Sequence, residues 1–327
     1  MGHRTDLEFE EFARKHKATL GTFRGIQGGN SKIAQIDMNG SQYIIKRYLG
    51  HDERARKSCL REKYALTALQ RYGVNNVPKL FEDLSSSFIN CIEFLDGVTP
   101  ASSSVTMNDI INFQCVMLEV HRNLKDASEC LPLAVDAAFS HEDIFGQVYD
   151  RLKSTSKHSN EDWIKVAKSL EYLKCAKINC PPAKSAKVTS ILSQSDIGSH
   201  NMLEVANQGN FFIDFEFFGV DSPQKLIIDF LLHPQNKFDT SLNEKFCSTL
   251  LDLYGLDLNN VIPWIPTLAL KWATIMLRRM EIILQNSTEQ KRLVETKIRF
   301  ARFIELTNPS YYLGTNNLTQ IIALVRS

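Results

Sequence analysis

Three oxygen-bearing side chains lie within a short stretch of this sequence, next to apolar residues. Asp196 and Asn201 are five positions apart in the segment Ser195 to Leu203, and Asp214 follows in Phe211 to Glu216. A carboxylate can orient an attacking hydroxyl group, and carboxylate and amide oxygens are ligands that suit Mg²⁺. Phosphoryl transfer needs both functions, so the pattern predicts Asp196 as a catalytic residue and Asn201 and Asp214 as metal ligands.

Size and composition are those of an ordinary globular protein with two lobes. The chain has 327 residues, of which 43% are hydrophobic and 23% charged, and a formal net charge of +1. This balance gives no field that favours nucleic acid, and no run approaches the ~20 apolar residues that cross a bilayer. The seven cysteines form no C-x-x-C pair, which favours reduced thiols. We therefore expect a cytoplasmic protein without a membrane span and without a nucleic-acid partner.

The first hundred residues alternate between helices and short strands. Turn residues Asn39 and Gly40 between two apolar runs predict a β-hairpin. Helices are predicted over 5–17 and 55–72. Short strands broken by glycines are predicted from about 19 to 48, among them 33–38 and 43–48, and two further strands over 79–83 and 88–93. A polar run over 99–106 predicts a linker between the lobes.

Beyond this linker the pattern is mostly helical, apart from the segment 190–216 that carries the opening motif. Helices are predicted over 107–124, 141–153, 160–176, 222–232, 242–254, 259–285, 288–306 and 317–326. The sequence contains no Walker A motif and no G-x-G-x-x-G segment that opens a helix after a strand, which argues against P-loop and Rossmann enzymes.

The order of elements and motifs resembles the aminoglycoside phosphotransferase and choline kinase-like family over about residues 19–235. The resemblance is specific at 44–46, 62, 92–97 and 195–216. It implies an α+β, bilobal, protein-kinase-like fold, with a five-stranded antiparallel sheet and one helix in the N-lobe. The implied parts are a helical extension (1–18), a nucleotide-binding N-lobe (19–96) and a helical C-lobe (97–327) with a catalytic loop (193–203) and a metal-binding strand end (211–216).

The resemblance also implies a site for ATP or GTP with Mg²⁺. Lys46, at the end of an apolar strand, would neutralise the phosphates, and Glu62 on the following helix would hold its ammonium group. The hinge residues Glu93, Phe94 and Leu95 would contact the base. The turn that contains Gly28, Gly29, Asn30 and Ser31 would direct backbone amides at phosphate.

The catalytic loop departs from the family pattern. Relatives carry His-Gly before the aspartate and His-Pro-Gly before the asparagine, whereas this chain has Gln194-Ser195 and Gly198-Ser199-His200. The chain therefore represents a divergent branch. A small-molecule kinase is the main interpretation; a nucleotide-binding pseudokinase and a kinase that acts on protein are the alternatives.

The class of acceptor is inferred from the charge composition of the C-terminal region. Residues 261–327 contain nine basic and four acidic side chains, which is unlike the acidic pocket that a polycationic antibiotic needs and favours a sugar or glycan precursor. Trp264 and Trp272 either stack on the acceptor or pack in the core. By analogy with relatives, Asp229 is expected to support the catalytic loop. The sequence does not indicate an oligomeric state.

Overall fold

A computed structural model describes residues 2–24, 31–50, 52–86, 88–127, 130–155, 161–176, 188–285, 290–312, 315 and 317–326. The chain divides into two compact units. Unit 1 comprises Met1–Ala101, Val116–Val135 and Leu192–Gly219, and unit 2 comprises Ser102–Cys115, Asp136–Ile191 and Val220–Ser327.

Helices account for most of the described residues. They are α1 (Gly2–Lys15), α2 (Asp52–Arg71), α3 (Ser104–Asp126), α4 (His141–Ser154), α5 (Glu161–Cys175), α6 (Pro223–Leu232), α7 (Thr240–Tyr254), α8 (Leu258–Val261), α9 (Trp264–Gln285), α10 (Gln290–Leu306) and α11 (Leu318–Arg326). These bounds agree with the predicted helices to within a few residues, except that 259–285 forms two helices. Pro263 lies at the break. It has no N–H to continue the helical hydrogen bonds, although Ile262 before it keeps helical dihedral angles.

The strands are shorter. They are β1 (Thr19–Arg24), β2 (Ser31–Met38), β3 (Ser41–Tyr48), β4 (Ile89–Glu93), β5 (Gly97–Val98), β6 (Ile191–Ser193), β7 (Met202–Val205), β8 (Gly209–Phe212) and β9 (Gly219–Asp221). Strands β1 to β4 form an antiparallel sheet in chain order, and β5, β7 and β8 form a second antiparallel sheet.

The predicted hairpin is confirmed. Asn39 and Gly40 join β2 to β3 with φ angles of 55° and 78°. Positive φ at both turn residues is the geometry that matches the twist of the flanking strands, and Asn-Gly adopts it at low cost. The turn sets a register in which Ile33 pairs with Lys46.

The prediction of five strands in this sheet is wrong, because the described part of the N-terminal sheet has four. Of the predicted strand 79–83, only Leu80 forms a bridge, to Ile92, and Glu82–Leu84 is a 3₁₀ turn. Pro78, just before this segment, has no N–H to donate to a ladder.

The four-stranded sheet separates two environments. On one face, Phe9 and Phe12 of α1 pack in one core with Ile36, Ile45 and Cys91. Since neighbouring side chains of a strand point to opposite faces, the alternate residues of β2 and β3 face the other way. The sheet therefore offers one face to α1 and leaves the other to line a cavity.

In unit 2, α9 is the central helix and packs against α4, α5, α6 and α10. Most of its side chains are buried, as expected of a helix with neighbours on several sides. Among the described residues, no helix is both long and apolar enough to span a membrane.

Candidate active site

Lys46 lies on the cavity face of β3 and is surrounded by carboxylates. Its Nζ is 2.7 Å from Asp214 Oδ1, 3.1 Å from Glu62 Oε2 and 3.8 Å from Glu216 Oε2. Burial alone would lower the pKa of this ammonium group, but Asp214, Glu62 and Glu216 outweigh that effect and raise the pKa above its ordinary value. The lysine is therefore a fixed positive charge.

Glu62 holds this lysine from α2. The face of α2 that also carries Ala65, Leu66 and Leu69 is fully buried, and Glu62 itself is 1% exposed. Its Oε1 accepts a hydrogen bond from Lys46 Nζ at 3.2 Å and another from the backbone N–H of Phe215 at 3.0 Å. The predicted Lys46–Glu62 contact is thus present in the structure.

The charges around Lys46 do not balance. One lysine faces the carboxylates of Glu62, Asp214 and Glu216, and the Asp214 side chain is 38% exposed. A local excess of negative charge with an accessible carboxylate suits a divalent cation. Glu216 was not among the predicted site residues. The available signal in the sequence was its position between Phe215 and the phenylalanines that follow, since a carboxylate among aromatic residues indicates a buried charge with a specific role.

A hairpin brings the other predicted metal ligand close to the chain around Asp214. Asn201 precedes β7, Asp214 follows β8, and the pairing of Met202 with Phe212 places the two strand ends side by side. The N–H of Ile213 donates to the carbonyl of Asn201 at 3.0 Å. Asn201 Nδ2 also donates to the carbonyl of Asp196 at 2.7 Å, which joins the loop to the hairpin.

The carboxylate of Asp196 is partly exposed and has one protein contact that the sequence did not predict. His200 Nε2 lies 3.1 Å from Asp196 Oδ1, and the Asp196 side chain is 32% exposed. This contact restricts the orientation of the predicted catalytic carboxylate.

The residues that differ from the family pattern make contacts of their own. Gln194 is 1% exposed, and its Nε2 donates to the carbonyl of Ile213, just before Asp214. Ser195 and Asp214 have φ angles of 72° and 66°. A positive φ is uncommon for residues with a side chain and costs free energy, so the surrounding contacts must maintain it.

A cavity of about 260 Å³ in unit 1 reaches Lys46 and Asp214. It is lined by Ser31, Ile33, Gln35, Ile44, Lys46, Glu62, Pro78, Ile92, Glu93, Phe94, Leu95, Gly97, Leu203, Ile213 and Asp214. The predicted hinge residues and Ser31 are thus part of one cavity with the Lys46–Glu62 pair. Gly28, Gly29 and Asn30 lie outside the described residues.

In unit 2, Asp229 lies in a largely buried network of charged and polar side chains. Asp229 accepts a hydrogen bond from Trp272 Nε1 at 3.0 Å and pairs with Lys225 Nζ at 3.2 Å. Burial would raise the pKa of Asp229, but Lys271 and Lys225 lower it below its ordinary value. Trp264 is buried against His141, with ring centroids 5.2 Å apart. Core packing therefore accounts for Trp264, and Trp272 stacks on Phe303 with ring centroids 5.9 Å apart.

Comparison with known proteins gives structural matches without sequence matches. No protein-family model and no curated protein matches this sequence. The choline kinase LicA from Streptococcus pneumoniae matches with a TM-score of 0.61 at 15% identity, over 93% of this chain and 99% of that one. LicA in complex with AMP matches with a TM-score of 0.59 at 14% identity, over 93% and 98%.

An aminoglycoside phosphotransferase gives a similar result. The gentamicin complex of APH(2″)-IIa matches with a TM-score of 0.59 at 15% identity, over 91% of this chain and 97% of that one. These matches extend over nearly the whole length of both chains, and at such low identity they establish the fold. The chain therefore has the α+β, kinase-like fold of choline kinases and aminoglycoside phosphotransferases.

Proposed function

We propose that this protein is a Mg²⁺-dependent phosphotransferase that moves the γ-phosphate of ATP or GTP to a hydroxyl group of a small molecule. The observation that carries the proposal is the buried lysine Lys46, held between Glu62 and Asp214 at one end of the cavity. Positively charged groups at fixed positions stabilise the charge of a transferring phosphoryl group. The fold shared with small-molecule kinases supports the same reaction class.

The cavity fits a nucleotide base. Ile33 and Ile44 line it from the four-stranded sheet, and Leu203 and Ile213 line it from β7 and the end of the β7–β8 hairpin. Apolar side chains of this kind can enclose a flat ring, while the backbone from Glu93 to Leu95, where the chain leaves β4, offers polar groups to its edge. The AMP complex of LicA, a protein of the same fold, supports nucleotide binding.

The residues around Asp214 fit a magnesium ion. Asp214 has an accessible carboxylate in a region of excess negative charge, and Asn201 uses its Nδ2 for the loop, which leaves the amide oxygen as its ligand atom. When bound, Mg²⁺ would neutralise charge on the nucleotide phosphates. Lys46 would contribute a second positive charge to the same phosphates.

Asp196 would orient the acceptor. Its partly exposed carboxylate can accept a hydrogen bond from the acceptor hydroxyl group and take up the proton as the oxygen attacks the γ-phosphorus. The new O–P bond forms as the bond between phosphorus and the nucleotide's bridging oxygen breaks. The contact with His200 holds the carboxylate in place, so orientation contributes to the rate.

For the acceptor, we propose a neutral or anionic hydroxyl compound such as a sugar or glycan precursor. The basic excess of residues 261–327 supports this class. Lys271 does not contribute to that argument, because it is buried and lies 3.7 Å from Asp229.

The decisive variant is Asp196→Ala. We expect turnover of ATP with a responsive acceptor to fall by about 10³-fold or more, because the group that positions the hydroxyl is lost. Binding of Mg²⁺–ATP, measured by calorimetry, should change little. Asp252→Ala, which removes an exposed carboxylate of α7, is the matched control and should keep wild-type turnover.

Other outcomes discriminate between the alternatives. Full activity of Asp196→Ala would show that the assignment of the catalytic residue is wrong. Nucleotide binding without turnover across a broad panel of hydroxyl acceptors would favour a pseudokinase. Transfer of label to protein rather than to a metabolite would favour a protein kinase.

A further inference from the structure

A chain of buried hydrogen bonds through Tyr48 and Asn90 holds the carboxylate of Glu62. The Tyr48 hydroxyl group donates to Glu62 Oε2, and Asn90 Nδ2 donates to the Tyr48 oxygen at 2.9 Å. Asn90 Nδ2 also donates to the Cys59 carbonyl at 3.0 Å, and Cys59 Sγ donates to Asn90 Oδ1 at 3.3 Å. Tyr48, Asn90 and Cys59 are each 0% exposed.

The topology of the sheet explains why these groups meet. Tyr48 is two residues after Lys46 on β3, so both side chains point to the same face. Asn90 of β4 pairs directly with Lys46, which places its side chain on that face as well. The sheet therefore delivers Lys46, Tyr48 and Asn90 together to the helix that carries Glu62.

Each member of the chain limits the freedom of the next. Glu62 receives bonds from Lys46, from Tyr48 and from the N–H of Phe215, so both of its oxygens are engaged in one orientation. The Lys46 ammonium group also lies 5.1 Å from the centre of the Tyr48 ring, on the face that attracts cations. Removal of the phenol oxygen would leave Glu62 Oε2 with Lys46 as its partner and allow the carboxylate to turn.

We propose that Tyr48, itself held by Asn90, is a positioning residue for the phosphate-binding lysine. It acts through Glu62 by fixing the carboxylate that holds Lys46. The inference rests on the proposed function, since it takes Lys46 to be the group that meets the nucleotide phosphates. Nothing in the motif pattern around Lys46 and Glu62 marks Tyr48.

Tyr48→Phe tests this role because it removes one oxygen and keeps the ring. We expect affinity for Mg²⁺–ATP and kcat/KM to fall by about 10- to 100-fold, the range expected when a hydrogen bond to a charged group is lost. Affinity for adenosine, which has no phosphate, should stay unchanged. Tyr43→Phe is the matched control on the same strand, since the Tyr43 ring packs edge-on against Phe81 and belongs to the other face.

A double-mutant cycle tests whether Tyr48 acts through Glu62. In a Glu62→Gln background, Tyr48→Phe should change ATP affinity by less than about twofold, because coupled residues are not additive. An equal loss in both backgrounds, or an equal loss for ATP and adenosine, would overturn the inference. So would a folded Tyr48→Phe variant with wild-type ATP affinity and kcat/KM.

Two further results keep the test decisive. If Tyr48→Phe does not fold, Asn90→Leu is the second variant, because it removes the donor to the Tyr48 oxygen. It should reduce affinity for ATP without changing affinity for adenosine. Unchanged ATP affinity would overturn the proposal. A wild-type protein that binds no Mg²⁺–nucleotide would overturn the proposed function and, with it, this inference. Loss of the Tyr48 effect alone would leave the proposed function standing.

Discussion

Each unit contains a buried cluster of charged side chains, and the two clusters differ in their balance. The acidic cluster of unit 1 consists of Lys46, Glu62, Asp214 and Glu216. The balanced cluster of unit 2 consists of Asp136, Arg151, Asp221, Lys225, Asp229 and Lys271. The first has one base for three acids, and the second has three bases for three acids.

The difference indicates different roles. In the acidic cluster the excess charge lies beside a cavity, and Asp214 is accessible, so the cluster can accept a cation and a nucleotide. In the balanced cluster Lys225 Nζ lies 2.6 Å from Asp221 and 3.2 Å from Asp229, which are four residues before and four residues after it in the chain. Charges that satisfy one another inside the protein hold elements together, and removal of one partner is costly.

Among variants of the two clusters, the largest effect should come from Asp214→Asn, which reduces the excess charge of the acidic cluster. We expect turnover to fall by about 10²- to 10³-fold or more, while the free energy of unfolding stays equal or increases. Asparagine tolerates the positive φ of this position, and the substitution removes a negative charge that repels the other carboxylates of the cluster. Urea unfolding and steady-state kinetics measure the two quantities.

A magnesium titration of the same variant tests the reason for this effect. At about ten times Kd, Mg²⁺ should stabilise the wild type by about 1.4 kcal/mol, and the stabilisation should be smaller in Asp214→Asn. Equal stabilisation of both proteins would contradict the role of Asp214.

The next effect should come from Lys225→Met in the balanced cluster. We expect a loss of about 3–5 kcal/mol in the free energy of unfolding, because Asp221 and Asp229 would stay buried without their closest cation. Nucleotide affinity, measured at a temperature where the variant is folded, should be unchanged. Loss of nucleotide affinity in the folded variant would contradict the different roles assigned to the two clusters.

Lys271→Met is the control for Lys225→Met. Its Nζ is 3.7 Å from Asp229 and 4.0 Å from Asp136, outside hydrogen-bond distance. Burial lowers the pKa of Lys271 and opposes its charged form, whereas Asp221 and Asp229 outweigh burial and raise the pKa of Lys225. The stability loss should therefore be clearly smaller for Lys271→Met, and equal losses would contradict this comparison.

The smallest effect concerns pH. Burial lowers the folded-state pKa of Lys271, and the positive charges of Lys225 and Arg151 lower it further. The carboxylates of Asp229 and Asp136 raise the pKa, but not enough to reverse the shift. As pH rises through that lowered value, the folded state releases a proton that the unfolded state keeps until about pH 10.4. The unfolded state then binds more protons, so stability rises with pH in this window.

The measurement is the difference in unfolding free energy between the wild type and Lys271→Met as a function of pH. It should shift in favour of the wild type as pH approaches about 10.4. A shift in the opposite direction would show that the folded state holds this proton more tightly than the unfolded chain does.

Local patterns in the sequence were sufficient to predict those elements whose conformation depends on residues close to each other in the chain. The Asn39–Gly40 turn requires only two residues that accept positive φ, and helix periodicity predicted α2, the helix that carries Glu62. The strand predicted over 79–83 is wrong because only Leu80 pairs with a neighbouring strand, through the bridge to Ile92, before the chain enters the 3₁₀ turn Glu82–Leu84. Partner availability is a tertiary property.

The sequence by itself determined which side chains could do phosphoryl-transfer chemistry and in what order they occur, because residue type and short spacing are written in it. The tertiary structure alone decided that Lys46 contacts Asp214 across 168 positions, and that Glu216 and Tyr48 join them. Sheet register and burial bring these groups together, and neither leaves a local trace. The charge balance of a cluster is likewise a sum over distant residues, and it appears only when the chain is folded.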